Sequence, residues 1–187
     1  MTRVVSALIA VLTLGQPVGP LEIRDVDGRR WTLLAPSANQ LDLLFFVSTD
    51  CPISNRYAPE INRTCADYQA RGVRCFLVYP DPSADPATVN AHRHAYGLDR
   101  TIPAILDPSQ RLVGVVEPRV TPEAAIYSSA GRRYRGRIDD LYIDVGRARR
   151  QATRHDVRLA LDAALAGLPI AQPETDAVGC FIPKRSG

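Results

Sequence analysis

The chain has 187 residues and a net charge of +3; hydrophobic residues make up 45% of it and charged residues 23%. These values lie near the globular average, which excludes a disordered, collagen-like or simple coiled-coil chain, and the charge is too small to demand an anionic partner. A chain of this size can bury a core that folds without a disulfide or a metal.

The N-terminus opens with Met1-Thr-Arg and an apolar run from Val4 to Leu14, which Gln16 and Pro17 end. One early cation and a short apolar core resemble a secretory signal, and the run is shorter than the about 20 apolar residues of a spanning helix. No Ala-x-Ala cleavage site stands there. Residues 1–20 are read as an export signal, with a buried segment or an uncleaved anchor as the alternatives. The expected location is periplasmic or otherwise extracytoplasmic, with membrane contact only through an uncleaved N-terminus.

Leu21 to Leu33 reads as a hairpin, because Asp27-Gly28 is a tight-turn signal between alternating segments. Leu41 to Val47 is a nearly continuous apolar run, as expected of a central strand buried on both faces. A helix follows from about Ile53 to Ala70, bent at Pro59 and stopped by Gly72. Val73 to Tyr79 is a second buried strand; residues 80–86 form a loop, and a helix then runs to Tyr96. Pro103 to Leu106 is a short strand and Gln110 to Val115 a short helix. Ala124–Tyr127 and Tyr134–Ile138 are strands joined by the turn Ser128-Ser-Ala-Gly131. A last helix spans about Arg154 to Ala166, with Val157, Leu161 and Leu165 on one face. The division expected is a signal over 1–20, one α/β domain over 21–167 and a tail over 168–187. The fold class is α/β with a central mixed sheet flanked by helices and an N-terminal hairpin.

Four cysteines are present, Cys51, Cys65, Cys75 and Cys180, and no Cys-x-x-Cys pair that would suggest zinc. Cys51 falls between a buried strand and a helix start, where backbone N–H groups favour a thiolate and lower its pKa. Pro52 suits the first helical turn. Cys65 and Cys75 read as core filling, with a local 65–75 disulfide as the alternative in an exported chain.

Phe45-Phe-Val-Ser-Thr-Asp-Cys-Pro-Ile-Ser54, together with Val120-Thr-Pro-Glu-Ala-Ala-Ile-Tyr127 and its hairpin, resembles the thioredoxin-like superfamily, in the redoxin or AhpC/TSA-like branch. The resemblance covers about Leu21 to Ala166 and implies a three-layer fold. It implies that Cys51 is the reactive thiol and that Pro122 is a cis proline packed beside it. The family's Cys-x-x-Cys is here Cys51-Pro-Ile-Ser54. Ser54 cannot close a disulfide, but its hydroxyl can donate to a Cys51 thiolate. The protein then stops at mixed disulfides or uses a remote resolving cysteine. Peroxiredoxins resemble Pro-x-x-x-Thr-x-x-Cys with a later arginine. Here Thr49 is two residues before Cys51, Ser48 is three before it, no proline stands at the required place, Pro122 stands where that arginine belongs, and Arg119 is out of register.

Cys180 sits in Val178-Gly-Cys-Phe-Ile-Pro183, an apolar cluster in a polar tail. Thirteen positions from Gly167, at about 3.3 Å each, let it reach Cys51 from either face. Cys180 is therefore the candidate resolving thiol; a free thiol, pairing with another chain and a metal site shared with Cys51 and a histidine stay open. His92 and His94 do not share a helix face, His155 reads as structural, and Glu60 and Asp50 read as solvated or capping groups rather than proton carriers. Arg133, Arg135 and Arg137 alternate and read as one face of a solvated, charge-protected edge strand. No nucleic-acid motif is present.

These readings converge on a thiol-disulfide oxidoreductase with candidate site residues Cys51, Cys180, Pro122, Ser54 and Thr49 and no cofactor or metal. Its partners would be a disulfide-bearing protein, a small thiol or a peroxide, and an electron-donor thiol protein. The alternatives are a peroxiredoxin-like peroxidase, in which a Cys51 sulfenic acid condenses with Cys180, and a non-enzymatic binding or copper-chaperone module.

Overall fold

A computed structural model describes residues 19–184. The expected signal over residues 1–20 lies almost wholly outside the described residues. β1 (Leu21–Arg24) and β2 (Arg30–Leu33) form the expected antiparallel hairpin. The chain then enters β3 (Leu41–Phe46), all six of whose residues are buried. Burial on both faces follows from its place: β3 lies between a parallel and an antiparallel neighbour in a five-stranded mixed sheet. The remaining strands of that sheet are β4 (Val73–Tyr79), β5 (Ala104–Leu106), β7 (Glu123–Ser128) and β8 (Gly131–Gly136), in the order β5-β4-β3-β7-β8. β6 (Val120–Thr121) precedes β7. The thioredoxin-like α/β fold is thus as expected.

Alternate residues of β3 divide the core. Leu43 and Phe45 join Ile61, Cys65, Val157 and Leu161 in one apolar layer; Leu44 and Phe46 join Leu33, Leu34, Leu112 and Val116 in the other. Asp42 breaks this apolar run but is fully buried; it forms a 2.6 Å ion pair with Arg74 and accepts from the Leu34 N–H at 3.0 Å. Burial raises its pKa, and Arg74 opposes that rise.

The helix expected over 53–70 is two helices, α1 (Pro52–Arg56) and α2 (Ala58–Gln69), which meet at Tyr57. Pro59 lacks the N–H that would continue the ladder, and its ring would meet the carbonyl of Asn55, so the second helix restarts with Pro59 in its first turn. α3 (Pro86–Ala95), α4 (Arg111–Val116) and α5 (Asp156–Leu165) fall close to their expected positions. A small hairpin of β9 (Tyr142–Asp144) and β10 (Arg147–Ala148) was not foreseen; its strands of three and two residues are mostly exposed and carry no alternating signal.

The largest correction concerns the arginine stripe. β8 begins at the Gly131 turn and ends at Gly136, two residues before the expected end, so Arg137 does not continue its face. Arg135 is only 6% exposed. The chain after α5 returns along β8: the Arg135 N–H donates to the Pro173 carbonyl at 3.0 Å and the Thr175 N–H to the Arg135 carbonyl at 3.1 Å. A Cβ on Gly136 would overlap Thr175. The expected solvated edge is therefore covered around Arg135, and two of the three cations face carboxylates: Arg137 pairs with Asp156, and Arg135 with Glu123 and Glu174, while Arg133 donates to the Leu168 carbonyl at 3.4 Å.

Candidate active site

Cys51 is the N-cap of α1, at the C-terminal end of β3. It is 1% exposed. Its Sγ accepts from the Ser54 N–H at 3.4 Å, and the Thr121 carbonyl oxygen lies 3.1 Å from the same sulfur. The Thr121–Pro122 bond is cis. The expected juxtaposition of Cys51 with the Pro122 loop is therefore present.

Ser54 contacts the sulfur differently from expectation. Its hydroxyl oxygen accepts from the Ser48 N–H at 3.2 Å, while its backbone N–H is the group directed at Cys51. The Thr49 hydroxyl donates to Asp50 at 3.2 Å rather than to the sulfur. Arg119 is paired with Glu174 and Asp176.

Cys180 is bonded to Cys51, with the two Cα atoms 5.9 Å apart and a separation of 129 positions in sequence. This is the pairing the tail was long enough to make. Cys180 and Phe181 form β11, which pairs antiparallel with β6, Cys180 opposite Thr121 and Phe181 opposite Val120. Gly179 lies against the Thr121 carbonyl, so closely that a Cβ there would overlap it. Gly179→Ala should push β11 off the site: alkylation of air-oxidised protein is expected to find free Cys180 in the variant and none in the wild type. Full oxidation of both would contradict the packing argument.

Cys65 and Cys75 are also bonded, Cα atoms 5.8 Å apart, tying α2 to β4. The core-filling reading is thereby corrected, and the alternative pairing holds. Their local spacing of ten residues was the signal. Both line a cavity of about 360 Å³ with Trp31, Phe76, Arg74 and Pro103.

Sequence reasoning missed the network behind the Cys51 loop. His92 Nε2 donates to Asn55 Oδ1 at 2.8 Å, and Asn55 Nδ2 donates to the Thr49 carbonyl at 3.2 Å. That leaves His92 Nδ1 to accept from the Tyr79 hydroxyl at 3.0 Å. The neutral tautomer is thus fixed, and a chain of hydrogen bonds from β4 pins the residues just before Cys51. Burial lowers the His92 pKa against the pull of Asp50. An unfolded histidine titrates near 6.5, so the unfolded chain takes up this proton first as pH falls, and stability is lost from about 6.5 downward. The thermal midpoint is expected to fall between pH 7.5 and 5.5 more steeply in wild type than in His92→Gln. Equal slopes would show that His92 is not responsible. Glu60 is likewise no solvated group: burial would raise its pKa, but hydrogen bonds from Arg158 and Arg63 outweigh that and hold it low. The Arg158 bond links α5 to α2, whereas the Arg63 bond lies within α2. Among the described residues no three His, Cys, Asp or Glu side chains are grouped to hold a metal ion.

The AhpC/TSA family model matches residues 14–129, well over half of the chain. The chain belongs to the AhpC/TSA family. Two solved structures match this AhpC/TSA-family protein over nearly its whole length. An uncharacterized conserved protein from Geobacillus kaustophilus has 22% identity, a TM-score of 0.75 and 93% coverage of each chain. A hypothetical protein from Sinorhizobium meliloti 1021 has 25% identity and a TM-score of 0.77, over 95% of this chain and 98% of that one. A secreted Mycobacterium tuberculosis disulfide oxidoreductase shares the fold at 15% identity and a TM-score of 0.52, over 79% and 96% of the two chains. Among curated proteins none matches. Fold, family and bonded cysteines together make this a thioredoxin-fold redox protein.

Proposed function

We propose that the protein is a thiol-disulfide oxidoreductase in which Cys51 is the nucleophile and Cys180 the resolving thiol. The observation that carries this reading is the bond between Cys51, beside the cis-Pro122 loop, and a cysteine on the C-terminal segment. In the reductive direction the Cys51 thiolate attacks one sulfur of a substrate disulfide. That bond breaks, the other substrate sulfur leaves as a thiolate and takes a proton, and Cys51 holds the attacked sulfur in a mixed disulfide. Cys180, deprotonated, attacks Cys51 Sγ and releases the second substrate thiolate. The substrate gains two electrons, the protein loses them, and a donor dithiol, itself oxidised to a disulfide, restores it. The reverse sequence oxidises a dithiol.

The Ser54 N–H directed at Cys51 Sγ favours the charged sulfur. Pro122 walls the site, and Ser54 and Thr49 hold the loop through the contacts described above. Their roles are positioning ones in this reading, residues 21–167 being the redox domain and 168–187 its arm. Disulfide exchange fits better than peroxide reduction because neither the Thr49 hydroxyl nor Arg119 is directed at Cys51. An extracytoplasmic location fits a chain with two disulfides and an N-terminal apolar run.

The test is turnover of a disulfide-linked peptide, and separately of hydrogen peroxide, by protein recycled with a dithiol. Turnover of the peptide that vanishes in Cys51→Ser supports the proposal. Rapid loss of peroxide with inert peptide would replace it with the peroxidase reading. Inertness toward both, with copper bound stoichiometrically to the reduced protein, would favour a metal-handling module.

A further inference from the structure

The segment carrying Cys180 is held to the domain on both sides of the disulfide by contacts that do not need it. On the N-terminal side, Glu174 pairs with the buried Arg135 and, at 3.0 Å, with Arg119. Asp176 reaches Arg119 at 3.1 Å. Thr175 Oγ1 lies 2.7 Å from the Tyr134 hydroxyl and accepts from the Arg137 N–H at 3.1 Å. On the C-terminal side, Gln110 Nε2 donates to the Pro183 carbonyl at 2.5 Å. Arg135 is anchored from within the domain by Glu123, 3.6 Å away, and by the Glu117 carbonyl at 2.7 Å. Glu123, the residue after Pro122, also accepts from the Arg119 N–H at 2.7 Å. The docking site for the tail and the loop of the cis proline are therefore one charged network.

We infer that residues 174–176, seated on Arg119 and Arg135, form a clamp that stays closed when the Cys51–Cys180 bond is reduced, so that Cys180 is kept at Cys51 as a preorganised resolving thiol. The inference rests on the exchange reading above and adds positioning residues to it. It differs from a tail that swings free on reduction and must find Cys51 again.

The magnitude follows from chain statistics. The side chains of 174–176 seat the two backbone bonds between this segment and Arg135, so without them Cys180 hangs thirteen positions from Gly167; with them, four from Asp176. Effective concentration falls roughly as the −3/2 power of tether length, so loss of the clamp should lower it about sixfold. A lower effective concentration makes the disulfide easier to reduce. At about 30 mV per tenfold for a two-electron couple, the reduction potential should rise by roughly 23 mV.

The clamp residues are polar and belong to the tail, and the buried domain groups they meet keep partners of their own: the Tyr134 hydroxyl still donates to the Arg137 carbonyl at 2.6 Å. The triple variant Glu174→Gln/Thr175→Val/Asp176→Asn leaves Arg135 its domain partners. Full-length wild type and variant would be equilibrated in glutathione buffers of graded ratio, acid-quenched, alkylated and peptide-mapped. The Cys65–Cys75 bond serves as an internal reference. The expected result is an about sixfold lower effective concentration for Cys51–Cys180 in the variant, an unchanged Cys65–Cys75 equilibrium, and a smaller shift of the same sign in wild type at 1 M salt. Effective concentrations equal within twofold would overturn the clamp while leaving the exchange reading standing. A wild-type Cys51–Cys180 bond that does not exchange with glutathione at all would overturn both. A shift of both disulfides together would show general loosening of the fold and would also overturn the clamp.

Discussion

Cys180→Ser is expected to convert the protein from a catalyst that turns over into one that stops at its first covalent step. Cys51 keeps its Ser54 N–H and its place beside Thr121, so attack on a substrate disulfide should proceed. Release then depends on an outside thiol. An intramolecular thiol reaches effective concentrations of about 1 mM even on a flexible tether, and more when its chain is held. With donor thiol in the micromolar range, turnover should drop by on the order of 100-fold, and a Cys51–substrate mixed disulfide should accumulate in stoichiometric amount. Intact-mass measurement under non-reducing conditions reads the adduct directly. Unchanged turnover in Cys180→Ser would assign resolution to the outside thiol alone. Cys51→Ser should abolish both adduct and turnover.

The second large effect concerns stability. The Cys65–Cys75 bond closes a loop of ten residues between α2 and β4. Constraint of the unfolded chain by a loop of this length contributes about 2–3 kcal/mol. Cys65→Ala/Cys75→Ala is expected to lower the thermal midpoint by about 5–10 °C, while substrate turnover per folded molecule stays unchanged. The bond lies at the start of β4, whereas Cys51 follows the far end of β3. A midpoint within 1 °C of wild type would show that core packing at these positions, not the crosslink, carries the stability. Loss of turnover in folded protein would give this second disulfide a role in electron transfer.

The parts of this molecule that were legible in its sequence are those in which local chemistry and tertiary position agree. Leu41–Phe46 is apolar at nearly every position because it has strand neighbours on both sides and a core layer on both faces. Asp27-Gly28 and Gly131 mark turns because they take backbone conformations other residues avoid; Gly28 has φ of 81° and Gly131 of 103°. Cys51 and Pro122 could be named because the strand–thiol–helix arrangement has a physical signature and the Thr121-Pro122 resemblance located its partner. What could not be read was which partner a side chain takes when several are in reach, and above all when a segment returns from far away. Arg135 looks solvated in an alternating run of arginines, yet residues 173–175 cover it, 38 to 40 positions later in the chain. The backbone N–H of Ser54, rather than its hydroxyl, meets the sulfur because Ser48 claims the hydroxyl oxygen. The role of His92 is not legible either, since nothing in its neighbours announces that Tyr79 and Asn55 will bracket it.

The central claim is the order of events at two cysteines, and a single trapping experiment reads that order. Fully reduced protein is mixed with an excess of a disulfide-linked peptide, quenched in acid at intervals from milliseconds to minutes, and mapped without reduction. The expected sequence is a peptide adduct on Cys51 at the earliest times, replaced by the Cys51–Cys180 bond as free peptide thiol appears. An adduct formed first on Cys180, or a Cys51 adduct that persists while Cys180 remains a free thiol, would contradict the assignment of nucleophile and resolving thiol.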